Sequence, residues 1–340
     1  MKSSPQGPFR AVIVGATGLV GMEMIRTLER LPLPVDELIL LASERSAGRK
    51  IAFRGVEHAV RAFDPSAFQD ARWVFFSGKD GLSEENCPAA ASAGAWVIDN
   101  SAVFRLTEGV PLVVPEVNMH AVGPRPGIVA NPNCSTIQLA VALAPIRDNY
   151  GLRRVIVSTY QSASGAGGEY LEELVADSGK YLGEGEGAVP VDSLAFNCLP
   201  AVGSLDEGAR YSEETKVEKE LRKILEMDDL GVCATAVRVP TMVSHCESVV
   251  VETERLIDPG DARRVLASAP GIKVLDDPAG GAFPTPRLAE GTDPVWVGRI
   301  RRAGVFENDL AFWVVADNLR KGAALNAVQI AVALNEREAG

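Results

Sequence analysis

A cysteine occupies the junction between a short apolar strand and an apolar helix. The segment Val129–Asn133 ends in Asn-Pro-Asn, a strong breaker, and Cys134 follows it just before the helical pattern Ile137–Ile146. Unpaired backbone N–H groups and the positive dipole end at a helix start lower a thiol pKa and stabilise an oxyanion formed by attack. A thiolate is the best side-chain nucleophile near neutral pH. We therefore predict that Cys134 is a catalytic nucleophile, with a small buried cysteine as the alternative.

A histidine lies close to a proline that separates two predicted strands. The strands are Val232–Val239 and Ser248–Glu254, and Pro240 prevents Arg238 and His245 from sharing one central strand. A break between the strands would bring both side chains to one rim of the sheet. Thiol and imidazole together support acyl transfer, and a bound dinucleotide would extend this to aldehyde oxidation or acyl reduction. His245 is therefore the candidate base, although a lone histidine is often structural.

A glycine-rich turn near the N-terminus has the setting of a dinucleotide-binding loop. The predicted strand Ala11–Val14 leads into Gly15, Gly18 and Gly21, and a helical pattern runs from Val20 to Arg30. Glycines let the backbone approach a pyrophosphate, whose charge the helix N-terminus favours. The spacing is G-x-x-G-x-x-G rather than G-x-G-x-x-G, so a purely structural turn is the alternative.

The end of the second predicted strand, Glu37–Leu41, indicates which dinucleotide the turn would hold. A reader of the ribose 2′-hydroxyl would be an acid at this point. The chain instead offers Ser43, Arg45 and Ser46, which could bind a 2′-phosphate, although Glu44 stands among them. This segment favours NADP over NAD.

The surrounding elements predict an α/β protein of two domains. Short apolar strands alternate with helices in the first third, which is typical of a parallel sheet covered on both faces. The remainder is strand-rich with few helices, and a glycine-containing stretch after Tyr160 reads as loop-rich. The last helical pattern, Ala323–Leu334, is expected to return to the first domain. We predict domains at 1–132 plus 319–340 and at 133–318.

Composition excludes several classes of protein. The 340 residues contain 45 acidic and 34 basic side chains, a formal net charge of −11, which is unlike a general nucleic-acid binder. Five cysteines without a C-x-x-C pair and three histidines give no metal-ligand spacing, so no metal is predicted. Apolar stretches are too short to span a bilayer. We expect a cytoplasmic protein with no nucleic-acid or membrane partner.

The sequence resembles the aspartate-semialdehyde dehydrogenases over nearly its whole length. Each shared motif is weak alone, but their order along the chain is highly specific. The motifs are Gly15-Ala-Thr-Gly-Leu-Val-Gly21, Ser43-Glu-Arg-Ser-Ala-Gly48, Asp99-Asn-Ser-Ala-Val-Phe-Arg105, Asn131-Pro-Asn-Cys-Ser-Thr136, Gln161-Ser-Ala-Ser-Gly-Ala-Gly167, Glu213-Glu-Thr-Lys216, Arg238-Val-Pro240, His245 and Asp317-Asn-Leu-Arg-Lys-Gly-Ala-Ala324.

This resemblance implies a fold, an assembly and a reaction. The fold is an N-terminal Rossmann-like dinucleotide-binding domain plus an α+β catalytic and dimerisation domain with a large mixed sheet, and the assembly is a homodimer. The reaction converts L-aspartyl 4-phosphate and NADPH into L-aspartate 4-semialdehyde, phosphate and NADP⁺. That product serves the biosynthesis of lysine, threonine, methionine, isoleucine and diaminopimelate.

The resemblance also implies the roles of individual residues. Cys134 would attack the acyl carbon, expel phosphate and hold a thioester, while His245 would move protons and Gln161 would orient the acyl group. For the substrate, the resemblance implies that Arg238 clamps the α-carboxylate and that Glu213 pairs with the α-ammonium. The phosphate site would comprise Lys216, Arg105 and Asn133. The cofactor site would comprise Gly15, Thr17, Gly18, Leu19, Val20 and Gly21 at the pyrophosphate, Ser43, Arg45 and Ser46 at the 2′-phosphate, and Ser164, Gly165 and Asn318 near the nicotinamide.

Two departures from the family and three alternatives accompany this prediction. Lys79 lies in a loop where the family has small residues, and Cys246 follows His245 where a serine is usual, so it could be a second oxidisable thiol.

The alternatives are an N-acetyl-γ-glutamyl-phosphate reductase, a phosphorylating glyceraldehyde-type dehydrogenase and a catalytically silent paralogue. Glu213 favours the aspartyl substrate over the first, because a carboxylate pairs with an ammonium group and not with an acetylated amine.

Overall fold

The computed structural model describes residues 9–339. These residues form two compact units, one running to Pro132 and resuming at Ala323, the other spanning Asn133–Gly322. The sequence prediction put the second boundary at 318/319, four residues earlier.

The first unit is built on a parallel sheet of six strands in the order β5-β2-β1-β6-β7-β8, with β3 and β4 forming a separate hairpin. Its core strands are apolar on both faces, as a sheet covered on both sides requires. The elements are β1 Arg10–Val14, α1 Leu19–Arg30, β2 Glu37–Ala42, β3 Lys50–Phe53, β4 Val56–Ala59, β5 Arg61–Ala62, β6 Trp73–Phe76, α2 Asp80–Ser92, β7 Trp96–Asp99, α3 Pro115–Asn118 and β8 Ile128–Ala130.

Two features of this unit differ from the sequence prediction. The hairpin of β3 and β4 was not anticipated, and its turn at Arg54 and Gly55 has positive φ at both residues. The sequence pattern predicts a helix at Ala89–Ala95, but helix α2 begins nine residues earlier, at Asp80, and continues through Pro88. Proline disfavours a helix interior, so the sequence pattern suggested a start after Pro88.

The second unit contains a mixed sheet of six strands in the order β10-β9-β11-β14-β13-β12. Its elements are α4 Cys134–Tyr150, β9 Arg154–Gln161, α5 Gly168–Glu184, α6 Ser212–Leu225, β10 Gly231–Arg238, β11 His245–Glu252, α7 Pro259–Ser268, β12 Ile272–Val274, α8 Pro286–Ala289, β13 Val295–Arg301 and β14 Asp309–Ala316.

Helix α4 is the centre of this unit. It packs on β11, β13 and β14 and is flanked by α6 and α7. Residues Ser135–Ala144 are all buried, as their apolar composition on every side predicts. Strand β9 runs antiparallel to β11, and α4 precedes β9 through a short connection at Gly151, so α4 and β11 run in the same direction.

The loop-rich interpretation of the stretch after Tyr160 was wrong. Helix α5 occupies Gly168–Glu184, with Leu174 and Asp177 buried. Its four-residue apolar spacing is interrupted by Gly179 and Gly183, and glycines disfavour helix, so the local sequence signal was weak. The helix is held instead by packing of Leu174 against Ala163 and Leu194.

The last helix, α9 Leu325–Ala339, belongs to the first unit. It follows a π-helical turn at Arg320–Ala324 and packs against α1, contributing buried side chains such as Val328 and Ala331 to the core. The predicted helix Ala323–Leu334 ends five residues too early, because polar residues near the C-terminus weaken the apolar pattern.

Candidate active site

Cys134 is the first residue of α4, and Asn133 caps the helix. The Asn133 Oδ1 atom accepts hydrogen bonds from the backbone N–H groups of Ser135 at 2.9 Å and Thr136 at 3.2 Å. Such a cap stabilises a helix by about 1 kcal/mol. Cys134 is half-buried and forms no disulfide, so its thiol stands at the start of a firmly defined helix.

Two carboxylates of α6 hold this cap. Glu213 Oε1 accepts from Asn133 Nδ2 at 2.7 Å, and Glu220 Oε2 accepts from the Asn133 backbone N–H at 2.6 Å. The two acids are seven residues apart, so they lie on one face of the helix. Asn133 thus has every polar group of its side chain engaged in positioning Cys134.

The capped amides change one expectation drawn from the sequence. The N–H groups of Ser135 and Thr136 are occupied by Asn133 Oδ1, and that of Ile137 by the Asn133 carbonyl. The sequence analysis expected unpaired N–H groups here to stabilise an oxyanion, but these three are already engaged. The asparagine that makes the helix start so well defined also takes up its donors.

The break at Pro240 brings Arg238 and His245 to one rim, as predicted. Strand β10 ends at Arg238, which pairs with Gln161 at the end of β9. Strand β11 begins at His245, which pairs with Ala316 at the end of β14. Three chain segments therefore deliver polar side chains to the same edge of the sheet.

His245 is fully buried, and among the described residues only one of its two ring nitrogens, Nδ1, has a hydrogen-bond partner. Its Nδ1 atom accepts a hydrogen bond from the Ser162 backbone N–H at 3.1 Å, and Ser162 Oγ lies 3.2 Å away. Burial, together with the nearby Arg238 charge, lowers the pKa of His245 to about 3, against a smaller opposing contribution from the Ser244 backbone. The imidazole is therefore neutral near pH 7.

Gly165 explains how Arg238 and His245 share one space. A Cβ atom at this position would stand 2.9 Å from Arg238 Nη1 and 3.0 Å from both His245 Nε2 and Cε1. Only the missing side chain leaves room between guanidinium and imidazole. Arg238 is fixed from the other side, because its Nη1 donates to the Ser162 carbonyl at 2.8 Å.

Gln161, Glu213 and Lys216 form a connected polar group beside this space. Gln161 Nε2 donates to Glu213 Oε1 at 3.0 Å, and Thr159 Oγ1 donates to Gln161 Oε1 at 3.1 Å. Lys216 Nζ lies 3.6 Å from Glu213 Oε2 and is partly exposed. Glu213 thus joins the cap of Cys134 to the end of β9.

Asn318 and Ser164 are hydrogen-bonded to each other, and Asn318 also bonds to Ser162 and Ser244, which lie next to His245. Asn318 Oδ1 accepts from the Ser244 backbone N–H at 2.8 Å and from Ser162 Oγ at 3.2 Å, while Asn318 Nδ2 donates to Ser164 Oγ at 3.0 Å. Ser244 has φ of 74°, a left-handed conformation that a serine adopts at a cost. Asn318 therefore holds the strained residue that precedes His245.

Cys134 and His245 lie at the same end of two elements that run in one direction. Gln138, one helical turn after Cys134, contacts Glu247, two residues after His245. One turn of helix and two residues of strand both advance about 6 Å. The same end also receives Gly322, because a Cβ there would stand 3.1 Å from Cys134 Cβ.

The two departures from the family have clear structural settings. Cys246 points to the opposite face of β11 from His245 and packs with Ala289 and Val315. Burial raises the pKa of the Cys246 thiol to about 12, so this cysteine has little thiolate and is not a second reactive site. Lys79 is exposed at the start of α2.

In the first unit, the glycine-rich turn forms a tight cradle that fits a dinucleotide. Gly15 has φ of 83°, and a Cβ there would meet the Ser77 carbonyl oxygen at 2.9 Å. A Cβ at Gly21 would lie 2.2 Å from the Gly15 carbonyl oxygen, so only glycine allows α1 to start here. No side chain among the described residues caps the first turn of α1, formed by Leu19 and Val20 after Gly18. Its N–H groups suit a pyrophosphate.

The segment after β2 lies against this turn. Thr17 Oγ1 donates to Ser46 Oγ at 3.3 Å, which ties the turn to the short helix Glu44–Ser46. Ser43 and Arg45 are exposed beside it, where a 2′-phosphate could be bound.

Arg105 belongs to the same unit and is largely buried. Its Nε donates to the Asn131 carbonyl at 3.0 Å and its Nη2 to the Asn100 carbonyl at 2.8 Å. Asn131 in turn bonds to Asn100 and to Asn326. Arg105 therefore fixes the loops at the ends of β7 and β8.

Residues 9–339 contain neither a membrane-spanning helix nor a cluster of metal ligands. No helix there is long and apolar enough to cross a bilayer. No three His, Cys, Asp or Glu side chains in that range come together as metal ligands.

Comparison with known proteins decides the family. Residues 10–123 match the family model of the semialdehyde dehydrogenase NAD-binding domain, and residues 143–321 match that of the semialdehyde dehydrogenase dimerisation domain. The aspartate-semialdehyde dehydrogenase of Aquifex aeolicus is 47% identical over 330 residues, covering 95% of this chain and 97% of that protein. The Bacillus subtilis enzyme is 44% identical over 340 residues, covering 96% and 98%.

The chain belongs to the aspartate-semialdehyde dehydrogenase family. It is also similar to the crystal structure of aspartate semialdehyde dehydrogenase II from Vibrio cholerae, with 43% identity, a TM-score of 0.91 and coverage of 97% of this chain and 99% of that one. A second structure of that enzyme is described as complexed with ASA, at 42% identity and a TM-score of 0.91. The predicted two-domain α/β fold with a parallel and a mixed sheet is confirmed.

Sequence reasoning missed several residues that build this semialdehyde dehydrogenase site. Glu220 could have been found, because a second acid seven residues after Glu213 lies on the same helix face. Ser244 acts through its backbone N–H and Gly322 through its missing side chain, and Ser162 adds a backbone N–H and a carbonyl to the contacts of its hydroxyl. The sequence carries no separate signal for these backbone roles.

The geometry around Gly165 gives a direct test. Gly165→Ala should lower kcat/KM by about a hundredfold or more, because the new methyl group displaces Arg238 or His245 by a substantial fraction of an ångström. Gly165 does not have positive φ, so backbone strain does not contribute. Steady-state kinetics and thermal unfolding of the variant would be compared with the parent.

Gly179→Ala is the matched control. A Cβ there has no neighbour within 4 Å, and the residue lies in α5, so activity should be unchanged and stability equal or slightly higher. Parent-like kcat/KM in Gly165→Ala would contradict the shared-space geometry.

Proposed function

We propose that this protein catalyses the NADPH-dependent reductive dephosphorylation of L-aspartyl 4-phosphate to L-aspartate 4-semialdehyde through a thioester on Cys134. The observation that carries the proposal is the convergence of a nucleophile at a helix start with a buried imidazole, a guanidinium and a carboxylate from neighbouring chain segments. Membership of the family and oxidoreductase chemistry are shown by the relatives. The reaction direction, the phosphate and the choice of cofactor are our proposal.

The nucleophile and the acyl group determine the order of events. Cys134 attacks the acyl carbon and expels phosphate, which leaves a thioester. A thioester accepts hydride more readily than a carboxylate, so covalent capture divides a difficult reduction into two easier steps. NADPH supplies that hydride when bound. The Gln161 side-chain amide is held by Thr159 and Glu213 and orients the acyl group. His245 moves protons at the acyl oxygen.

Opposite charges in the site fit a zwitterionic acyl phosphate. Arg238 presents a planar guanidinium that binds the α-carboxylate in two-point fashion. Glu213 pairs with the α-ammonium, and Lys216 meets the phosphate. Asn133 and Arg105, which the sequence assigned to the phosphate site, are engaged by carboxylates and by backbone carbonyls. In this proposal, Asn133 and Arg105 contribute to the phosphate site by holding the segments that they contact in place.

NADP is the cofactor that the first unit fits best. The Gly15–Gly21 turn and the uncapped start of α1 bind the pyrophosphate, and Ser43, Arg45 and Ser46 bind the 2′-phosphate. A related Candida albicans structure, 25% identical with a TM-score of 0.75, is described as being with NADP. In this proposal, the nicotinamide end of the cofactor lies near Ser164, Gly165 and Asn318.

An N-acetyl-γ-glutamyl-phosphate reductase is the nearest alternative. Its substrate carries an acetylated amine, which cannot pair with the Glu213 carboxylate as an ammonium does. Since Glu213 is largely buried, its carboxylate favours a cationic amino group over a neutral acetylated amine.

The substrate assignment is tested by running the reaction towards the acyl phosphate. The protein should reduce NADP⁺ with L-aspartate 4-semialdehyde only when inorganic phosphate is present, monitored by absorbance of NADPH. Cys134→Ala should lower the rate by about 10⁴-fold or more, since no other group forms the thioester. Cys198→Ala, at an exposed cysteine, is the control.

Parent-like turnover in Cys134→Ala would contradict the thioester. Preference for N-acetyl-glutamate semialdehyde would support the alternative. Unchanged NADP binding with no activity on either aldehyde would identify a silent paralogue.

The 2′-phosphate assignment is tested by charge reversal. Arg45→Glu should weaken NADP binding by at least about tenfold while leaving NAD binding within about threefold, because only the 2′-phosphate loses its cation. Calorimetry with both nucleotides measures this, and Arg49→Glu is a nearby exposed control. Equal weakening of both nucleotides would show that Arg45 acts elsewhere.

A homodimer formed through the outer face of the second sheet is also part of the proposal. Ile156, Tyr160 and Trp313 are apolar side chains on that face, and Tyr160 and Trp313 have ring centroids 5.3 Å apart. Side chains of the opposite face pack on α4 instead. The matched dimerisation-domain family model covers these strands.

Ile156→Asp should convert the dimer to a monomer, because a carboxylate would be desolvated at the interface. Light scattering at micromolar concentration gives the mass, and Leu256→Asp, at an exposed loop residue, should remain dimeric. A parent protein that is monomeric, or an Ile156→Asp protein that stays dimeric, would contradict this interface.

A further inference from the structure

Glu247 is a buried acid to which the proposed reaction gives no role. It is the third residue of β11 and is 0% exposed. It pairs with Thr159 of β9 and Val314 of β14, in the face of the sheet on which α4 packs. Glutamate is almost never fully buried unless it is paired, because an isolated buried carboxylate is very costly. Its presence in this face therefore calls for a partner.

The described part of the chain gives Glu247 no counter-charge. Its two flanking residues, Thr159 and Val314, do not ionise. Neither Oε1 nor Oε2 of Glu247 has a hydrogen-bond partner of good geometry among residues 9–339, and no basic side chain there forms an ion pair with it. The carboxyl group is therefore in an environment that favours its neutral form.

Gln138 presents the one complementary group. It is fully buried on α4, and its side-chain amide lies beside the Glu247 carboxyl, close enough to affect the pKa of that acid. The Oε1 and Nε2 atoms of Gln138 have no partner elsewhere within the described residues. The two side chains are therefore each other's available partners between the helix and the strand.

The proton on Glu247 decides whether this pair can be complete. A carboxylate only accepts, so it could bond to the Gln138 Nε2–H but would leave Oε1 facing a negative charge. A carboxylic acid donates its O–H to Oε1 while its carbonyl accepts from Nε2–H, so the neutral acid satisfies both ends of the amide. Burial acts in the same direction, because it raises the pKa of Glu247 well above its ordinary value, against a smaller lowering by Gln138.

This pair lies one helical turn from the nucleophile. Cys134 and Gln138 are four residues apart on α4, so they share one face of the helix. The Asn133 cap holds the backbone at the start of that turn. A second attachment at Gln138 would fix the rotation of the turn relative to β11, and with it the direction in which the Cys134 side chain leaves the helix.

We propose that Glu247 is a positioning residue that works as a neutral acid, pairing with the Gln138 amide and locking the first turn of α4 to β11. A negative charge at this place would also oppose formation of the Cys134 thiolate, so retention of the proton serves the nucleophile twice. The expected effect on rate rests on the proposed thioester chemistry, whereas the pairing itself does not.

Few other titratable groups face Glu247. On its own strand, His245 lies two residues earlier on the same face, and on α4 the nearest ionisable group is Cys134. The residues of β9 and β14 that flank it do not ionise. Burial lowers the pKa of His245 to about 3, so this ring does not change its charge near neutral pH. A Cys134→Ala background removes the thiol, which is the remaining competing group.

The pH dependence of stability tests the proton on Glu247 without any substrate. Above the ordinary pKa of 4.5 the unfolded chain loses this proton and the folded chain keeps it, so folding of the parent weakens as the pH rises. Glu247→Gln has no such proton. In the Cys134→Ala background, the folding equilibrium constant of Glu247→Gln relative to the parent should therefore increase about tenfold per pH unit between about pH 5.5 and 7.5. Urea unfolding measures both constants.

Glu252→Gln is the matched control for this profile. Glu252 lies on the same strand but is only partly buried, and it forms an ion pair with Arg154. Its replacement should give no gain of stability with pH. A ratio for Glu247→Gln that is the same at every pH would show that the folded protein carries the carboxylate, and this would overturn the proposal.

Kinetics of variants at both partners test the positioning. Glu247→Gln keeps a neutral group that can pair with the Gln138 amide, so kcat should stay within about threefold of the parent. Glu247→Leu cannot pair and should lower kcat about tenfold or more, because a slightly misplaced nucleophile reacts slowly. Gln138→Leu should have a similar effect, and the double leucine variant should lose no more than either single variant, because both remove the same pair.

Three kinetic outcomes would contradict the pairing. They are parent-like kcat in Glu247→Leu, equal losses in Glu247→Gln and Glu247→Leu, and losses that multiply in the double variant. If Glu247→Leu does not fold, kcat of Glu247→Gln and its stability profile still decide. If the parent does not act on L-aspartate 4-semialdehyde, the proposed function fails, while the stability profile still decides whether Glu247 is a neutral acid.

Discussion

The cap that Asn133 places on α4 is the constraint on which the rest of this site depends. One side-chain oxygen holds two backbone N–H groups, while the side-chain amide and the backbone N–H of the same residue are held by Glu213 and Glu220. Bonds to charged groups stabilise by about 1.5–3 kcal/mol each, more than a neutral bond. Cys134 is the first residue after this cap, so the cap also fixes the position of the Cys134 backbone that carries the sulfur.

The cap has a chemical consequence as well as a structural one. It removes three amides of the first helical turn from the set of possible oxyanion donors. His245, held by the Ser162 backbone N–H, lies beside the space that Gly165 leaves next to Arg238. The Glu213 carboxylate, the His245 imidazole and the Cys134 thiol are supplied by separate segments, which are tied to one another by hydrogen bonds. Glu213 illustrates this, because it bonds to both Asn133 and Gln161.

Much of the fold and of the reaction centre could be predicted from the sequence because the signals were local. The Asn-Pro-Asn-Cys junction, the glycine-rich turn and the break at Pro240 each have a physical meaning within a few residues. Helix α5 was not predicted, since its glycines conceal a helix that tertiary packing of Leu174 stabilises. The donors at the start of α4 were misjudged because the role of Asn133 as a cap depends on its rotamer.

Roles carried by the backbone lie beyond what the sequence pattern can express. Ser162 acts on His245 through its N–H and on Arg238 through its carbonyl, and these two backbone contacts leave no signal in the sequence. Ser244 matters through its positive φ and through the hydrogen bond that its N–H donates to Asn318, and the sequence indicates neither. The mixed sheet brings these positions together because β9, β11 and β14 alternate in direction and all reach one rim.

Covalent capture on Cys134 is the central claim, and mass spectrometry of the acyl-enzyme tests it most directly. The protein is mixed with L-aspartyl 4-phosphate in the absence of reduced nucleotide, quenched in acid and digested. The account predicts one aspartyl group on the peptide that contains Cys134, released by hydroxylamine as a thioester should be. Stoichiometric release of phosphate with no adduct on that peptide, or an adduct on another residue, would contradict it.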